Sequence, residues 1–326
     1  MKKEMIEKDK YIIFLDIDNT VFDGEKVPEK TVKALEKAKM LGHKVFLNTG
    51  RAHCIVTKDI VDAIKPDGII SAMGTSIFVG KECVFSALMK EEDVKFLVKY
   101  GDDIGAFVII ESIEKLVSMH GPAFLGQNNF IEKAEDLYLS YPDIKVSKIS
   151  IMRTLPDDEL AMLREKFAMV YSHSGYTEIP PEGCNKATGI ARVCEYYGTD
   201  VAHSIAMGDS GNDYDMIKFA GIGVAMGNAT DDIKEIADFV TTNCEEGGVA
   251  YALEKLLFEK KKNKKRLIEP FFYVLMKFIC ISQSLKAYAV FSLKILLHLP
   301  VLYCAKAREK LSNQPTGTAY HTNATP

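Results

Sequence analysis

No stretch of 18 consecutive apolar residues occurs in the 326-residue chain, so a membrane-spanning helix is not expected. The opening MKKEMIEKDK has no apolar h-region and does not read as a secretory signal. CxxC spacing is missing too. Seven cysteines lie scattered at 54, 83, 184, 194, 244, 280 and 304. An odd, dispersed set points to reduced thiols in a cytosolic protein, and away from a disulfide framework or a zinc site. There is no internal repeat and no Gly/Ser-rich linker. These absences leave an ordinary globular chain, as 47% hydrophobic and 26% charged content also indicates, and one long enough for two domains. The net charge of -4 hides an asymmetry. From residue 259 onward there are 12 Lys/Arg against 3 Asp/Glu, so a tail of +9 follows an acidic body of -13.

What is present is organised around residues 11–20, YIIFLDIDNT. A short unbroken apolar run reads as a strand buried on both faces, which belongs to a parallel sheet. In open α/β sheets ligands sit beyond the carboxyl ends of such strands, and here that end carries Asp16 and Asp18. Two carboxylates one residue apart cannot both lie in the core without a cation or a shared proton. A strand end followed by an Asp/Asn turn is the plainer alternative.

The chain then reads as βαβαβ. A helix from 28 or 29 to about 41 stops at Gly42, a strand over 44–47 ends in NTGR, a helix over 52–64 leads to a strand over 68–71, and a hairpin pairs 76–79 with 82–85. Such a series implies right-handed crossovers and a parallel sheet. From about 86 to 176 the texture becomes α+β, with helices over 91–104, 130–137 and 156–168 and strands over 106–110, 115–118, 146–152 and 169–172. Alternation over 146–150 suggests a half-exposed sheet. The parallel rhythm resumes with a helix over 186–197, a strand over 203–207 ending in GDSGND, a helix to 220, a strand over 223–226 ending in GNA, and a helix finishing near 258. The domains are therefore expected at 1–85 and 181–258 for the core, 86–180 for an inserted α+β domain, 259–311 for a helical extension and 312–326 for a disordered tail.

Four loops carry polar residues of distinct kinds: Asp16 and Asp18; Thr49 and Gly50; Lys186; and Asp209, Asn212 and Asp213. Hard carboxylate oxygens with no His or Cys beside them suit magnesium. A hydroxyl, backbone N–H groups and a lysine suit a phosphate. Together they imply phosphoryl transfer through an aspartyl-phosphate. In this order DIDNT, NTGR, Lys186 and GDSGND resemble the four motifs of the haloacid dehalogenase superfamily of phosphatases, over roughly residues 10–258. The insert is similar to a type C2 cap, and EIPPEGCNKATGI with the stretch 223–257 resembles the Cof-type, or class IIB, subfamily. The resemblance implies a Rossmann-like core with a parallel sheet. It implies Asp16 as nucleophile, Asp18 as general acid and base, and Thr20 as a support of the loop. Thr49, Gly50, Lys186 and Asn212 would hold phosphate, and Asn228 and Arg51 would contact substrate. Magnesium would be held by Asp16, the Asp18 carbonyl and Asp209, with Asp213 second in line or bound through water. Asn19 stands where that family usually has Gly, and Met73 with Gly74 replaces a usual Asn-Gly pair.

Plainer readings stand beside these. Lys186 alone could be a solvated lysine at a helix start, Arg51 a surface arginine, and Asn228 a turn residue. His53, His120 and His173 read as surface or cap residues, and Cys54 and Cys184 as non-nucleophilic. The expected substrate is a small phosphorylated metabolite, sugar phosphates first and nucleotide or cofactor phosphates next, in the cytoplasm and without nucleic acid. A phosphomutase, or a membrane-tethered regulatory protein on the same fold, is the alternative. The basic, apolar stretch 259–311 could lie on an anionic membrane, pack on the body or self-associate.

Overall fold

The protein is described by a computed structural model over residues 9–122, 128–173 and 175–259. These residues fall in one compact unit that ends at Glu259. The expected extension and tail beyond it lie outside the described residues. Among the described residues no helix is long and apolar enough to cross a membrane.

The chain begins β1 (Ile12–Leu15), α1 (Glu29–Met40), β2 (Lys44–Asn48), α2 (Lys58–Ile64), β3 (Gly68–Ser71), β4 (Ser76–Val79), β5 (Glu82–Ser86). The insert follows as α3 (Glu91–Asp103), β6 (Val108–Ser112), β7 (Leu116–Met119), β8 (Phe130–Ile131), α4 (Asp136–Ser140), β9 (Val146–Ile151), α5 (Asp157–Lys166), β10 (Tyr171–His173), β11 (Tyr176–Ile179). The chain returns with α6 (Lys186–Tyr197), β12 (Ser204–Gly208), α7 (Tyr214–Phe219), β13 (Ile222–Ala225), α8 (Asp231–Ile236), β14 (Phe239–Val240), α9 (Gly248–Leu253).

Two sheets result. The first runs β14-β13-β12-β1-β2-β3-β4-β5, parallel from β14 to β3 and closed by the antiparallel hairpin β4–β5. All four residues of β1 are 0% exposed, as a central strand covered on both faces requires. Phe14 pairs in register with Phe46 on β2 and Ala206 on β12. The carboxyl ends of these three strands therefore lie side by side, and the loops that begin at Asp16, Thr49 and Asp209 share one edge of the sheet. The second sheet, β10-β11-β9-β6-β7-β8, covers its own apolar cluster, which includes Val98, Ile110, Ile149 and Leu163. Ala52 and Ile55 of the core meet Ile109 and Leu116 of the insert in a small third cluster between the two.

Several expectations change. The helix over 52–64 is split: a 3₁₀ turn at His53–Ile55 gives way to extended Val56 and Thr57 before α2 begins. Two consecutive β-branched residues favour that break. In place of a helix over 130–137 stand the two-residue β8 and a short α4. Ile131 is buried while Phe130 is exposed, so a strand's alternation wins. Strand β11 pairs with both β9 and β10 and was not anticipated. Strand β9, expected to be half exposed, is buried along its whole length, because its polar face is covered by the core.

Candidate active site

Asp16 follows β1 directly, and its N–H donates to the Met207 carbonyl at 3.0 Å. Lys186 opens α6. Its placement is secured by a capping box: Asn185 Oδ1 accepts from the Thr188 N–H at 2.7 Å, and Thr188 Oγ1 accepts from the Asn185 N–H at 3.0 Å. The Lys186 side chain is 0% exposed, so the solvated reading does not hold. Its ammonium donates to Asp16 Oδ1 at 2.7 Å, Asp213 Oδ1 at 2.5 Å and Asn212 Oδ1 at 2.9 Å. The other Asp213 oxygen accepts from the N–H groups of Asp209 and Ser210 at 3.0 and 3.1 Å. Asp213 thus ties the GDSGND loop to the lysine with both oxygens.

Carboxylate oxygens of Asp16, Asp209 and Asp213 lie within 4.8 Å of one another, all three residues buried. Burial, and then the Asp213 charge, raise the Asp16 carboxyl well above its ordinary value, which Lys186 only partly offsets. Burial and Asp213 push Asp209 up to about 7. Burial works to lower the Lys186 ammonium, but Asp16 and Asp213 outweigh it and hold it above the usual lysine value. Three carboxylates around one ammonium leave excess negative charge. A donor set of oxygens without imidazole or thiolate fits a hard divalent cation. Asn19, at φ +55, occupies the left-handed region where glycine is the default and Asn is tolerated. Its backbone carbonyl accepts from the Asn228 amide at 2.9 Å.

On the neighbouring loop Thr49 is buried, and its Oγ1 accepts from the Arg51 N–H at 3.1 Å. Arg51 grips Asp18 with two bonds, Nε to Oδ2 at 2.9 Å and a terminal nitrogen to Oδ1 at 2.5 Å. Ala72, Met73 and Gly74 all have positive φ in the turn after β3, and the N–H groups of Ala72 and Met73 donate to the Arg51 and Thr49 carbonyls at 2.7 and 3.2 Å. The unusual Met73 therefore sits in a strained turn that supports this loop.

Asp16, Asp18, Thr49, Gly50, Arg51, Asp209 and Asn212 line one cavity of about 440 Å³. Lys186 and Asp213 stand behind that wall. Asn228 lies outside the cavity, where its amide donates to the Asn19 carbonyl and accepts from the Cys244 N–H, both at 2.9 Å. It joins loops there, as a turn residue would.

The other wall comes from the insert and was not read from the sequence. Ile109 and Glu111 on β6, Leu116 on β7, Lys148 and Ser150 on β9, and Tyr176 and Glu178 on β11 face the cavity. Their i, i+2 spacing places them on one face of the second sheet. Glu111 is directly opposite Lys148 in the register. Glu178 is opposite Ser150, one diagonal step from Lys148. A lysine in an otherwise apolar and serine strand was the available signal, since a charge in mid-strand needs a partner.

A family model described as haloacid dehalogenase-like hydrolase matches residues 13–253. The Bacillus subtilis (strain 168) protein named "Putative phosphatase YkrA" is 31% identical over 255 residues, 76% of this chain and 98% of the relative. The 5-amino-6-(5-phospho-D-ribitylamino)uracil phosphatase YcsE of the same organism is 28% identical over 247 residues, 74% of this chain and 94% of the relative. Among solved structures, the subclass IIB sugar phosphatase BT4131 superposes with a TM-score of 0.67 at 25% identity, covering 75% of this chain and 98% of the other. On these grounds the chain belongs to the haloacid dehalogenase superfamily of hydrolases, as a phosphatase of its subclass IIB.

Proposed function

We propose that the protein is a magnesium-dependent phosphatase of small phosphorylated metabolites, sugar and polyol phosphates first among them, acting through an aspartyl-phosphate on Asp16. The observation that carries this reading is the Lys186 ammonium held between Asp16, Asp213 and Asn212, directly behind the wall of the cleft that Asp16 and Asn212 line. When bound by Asp16, Asp209 and the Asp18 carbonyl, magnesium supplies charge neutralisation for the phosphoryl oxygens. Asp16 attacks phosphorus. Asp18, beside it at the cavity, gives a proton to the leaving oxygen and later takes one from water. Thr49 Oγ1 and the Gly50 N–H receive the phosphoryl oxygens, and Lys186 offsets the charge that develops there. Arg51 holds Asp18 until substrate competes for the guanidinium.

The leaving group faces the insert. There Glu111, Ser150 and Glu178 offer polar atoms beside Ile109, Leu116 and Met152, a mixture suited to hydroxyl donors on a carbon chain. The names of BT4131 and YcsE, a sugar phosphatase and a ribityl-phosphate phosphatase, support the same class. The test is release of inorganic phosphate from a panel of sugar, polyol and nucleotide phosphates with magnesium. Asp16→Asn serves as control, with p-nitrophenyl phosphate as the common substrate. Full activity in that variant would remove Asp16 as the nucleophile.

A further inference from the structure

Lys148 belongs to the insert, yet its ammonium reaches the phosphate loop of the core. An ammonium has three N–H donors, and here each has an acceptor. The Gly50 carbonyl lies at 2.8 Å, Glu111 Oε1 at 3.2 Å, and Glu178 Oε1 completes the set. The side chain is 3% exposed. Burial works to lower this ammonium, but Glu111 and Glu178 outweigh it and keep it charged. With every donor engaged, Lys148 has none to offer a substrate. Its effect must pass through what it holds.

What it holds is one peptide plane. The Gly50 carbonyl and the Arg51 N–H belong to the same planar unit and point to opposite sides of it. The carbonyl accepts from Lys148, and the N–H donates to Thr49 Oγ1 at 3.1 Å. Fixing the first therefore aims the second, and with it the Thr49 hydroxyl. Space at this point is already tight. A Cβ on Gly50 would lie 3.3 Å from both Asn212 Nδ2 and Glu178 Oε1. A second tie between insert and core, from the Tyr171 hydroxyl to Asp215 Oδ2 at 3.0 Å, keeps the two faces together.

We infer that Lys148 is a positioning residue that completes the phosphate cradle only when the insert is closed over the core, so that closure is read at the phosphoryl end of the substrate and not only at its leaving group. This rests on Thr49 and Gly50 receiving the phosphoryl oxygens. A closed insert then does two things at once. It shuts out water, and it locks the loop that holds the transferring group.

The experiment compares the full-length protein with Lys148→Met, Lys148→Met/Glu178→Leu and Lys166→Met. The double variant avoids leaving Glu178 buried and uncompensated, which by itself could unfold the insert. Binding of inorganic phosphate in magnesium chloride, followed by calorimetry, reports the cradle with no leaving group present. KM and kcat for p-nitrophenyl phosphate report it in turnover. In the double variant, phosphate affinity and kcat should each fall about tenfold or more, the scale of a misplaced positioning contact. Lys166→Met, which removes an exposed lysine of the insert that pairs with Asp93 away from the cavity, should stay within about twofold on both. Wild-type phosphate affinity and kcat in the double variant would overturn the inference. So would a rise in KM confined to sugar phosphates, which would assign Lys148 to the leaving group. A failure of the phosphatase reading looks different: the wild type itself would neither bind phosphate nor lose turnover on Asp16→Asn.

Discussion

At the residue scale, Lys186 and Asp213 form the pair on which the acidic centre depends. Lys186→Met would leave Asp16 and Asp213 buried with no ammonium between them. The expected loss is about 3–5 kcal/mol of stability in metal-free buffer, the cost of breaking a buried ion pair, read from urea denaturation. Turnover should fall at least ~10²-fold, as when a charge-stabilising donor is removed. Gly50→Ala tests geometry instead of charge. Its new methyl must push Asn212 or Glu178 aside by a few tenths of an ångström. We expect kcat to fall about tenfold while the melting temperature moves by no more than about 2 °C, since the added group meets side chains and not backbone. Met73 and Asn19 depart from the family's usual residues, and the structure explains only one of them directly. Asn19 keeps the left-handed φ that Gly would adopt, a region that Asn tolerates better than most side chains do. Met73 adopts a positive φ without that tolerance.

At the element scale, α6 is held by its first turn. Asn185 caps the helix, and its amide also donates to Asp215 Oδ2 at 2.9 Å. Asn185→Ala should cost about 1–2 kcal/mol, the upper range for a lost N-cap, and should lower kcat by releasing Lys186, measurable as a split between thermal shift and turnover. The turn before β4 packs against the same helix start: a Cβ on Gly74 would lie 2.3 Å from the Asn185 carbonyl, at a φ of +81. The elements of the core were legible because their signals are local: an apolar run for β1, and Gly42 as the stop of α1. So were Asp16, Asp209 and Lys186, which follow strands or open a helix. The wall from the insert was not legible. Glu111, Lys148 and Glu178 are far apart in the chain, and only the register of β6, β9 and β11 makes them neighbours. The burial of β9 differs from the expected half exposure for a related reason. Alternation marks two unlike faces, but it does not say whether the polar one meets water or another domain.

At the scale of the whole molecule, the acidic centre should make stability depend jointly on pH and on magnesium. Asp209, raised to about 7 from an ordinary value of 3.8, binds its proton more tightly folded than unfolded. Its contribution is therefore fully present below about pH 4 and is lost as pH rises through about 7. A cation that binds the ionised cluster stabilises the folded state in proportion to its affinity. The stabilisation by magnesium should thus be small near pH 5 and grow to a plateau above about pH 7, measured as the melting-temperature difference between magnesium chloride and a chelator. An equal difference at both pH values would argue against ligation by these carboxylates. The sheet order has a further consequence, for how the protein is made. Strand β1 lies between β2 and β12, and Asp16 meets Lys186 across 170 positions of sequence. At ~5–20 residues per second of synthesis, the ribosome works for roughly 10–30 s between delivering the one and the other. Through that interval the edge of β1 that will receive β12 has no partner strand from its own chain. A nascent chain stalled within the insert would carry the nucleophile on an open sheet edge, with no possibility of turnover. Its need for shielding during synthesis should therefore exceed that of a protein whose central strand pairs only with its immediate successors.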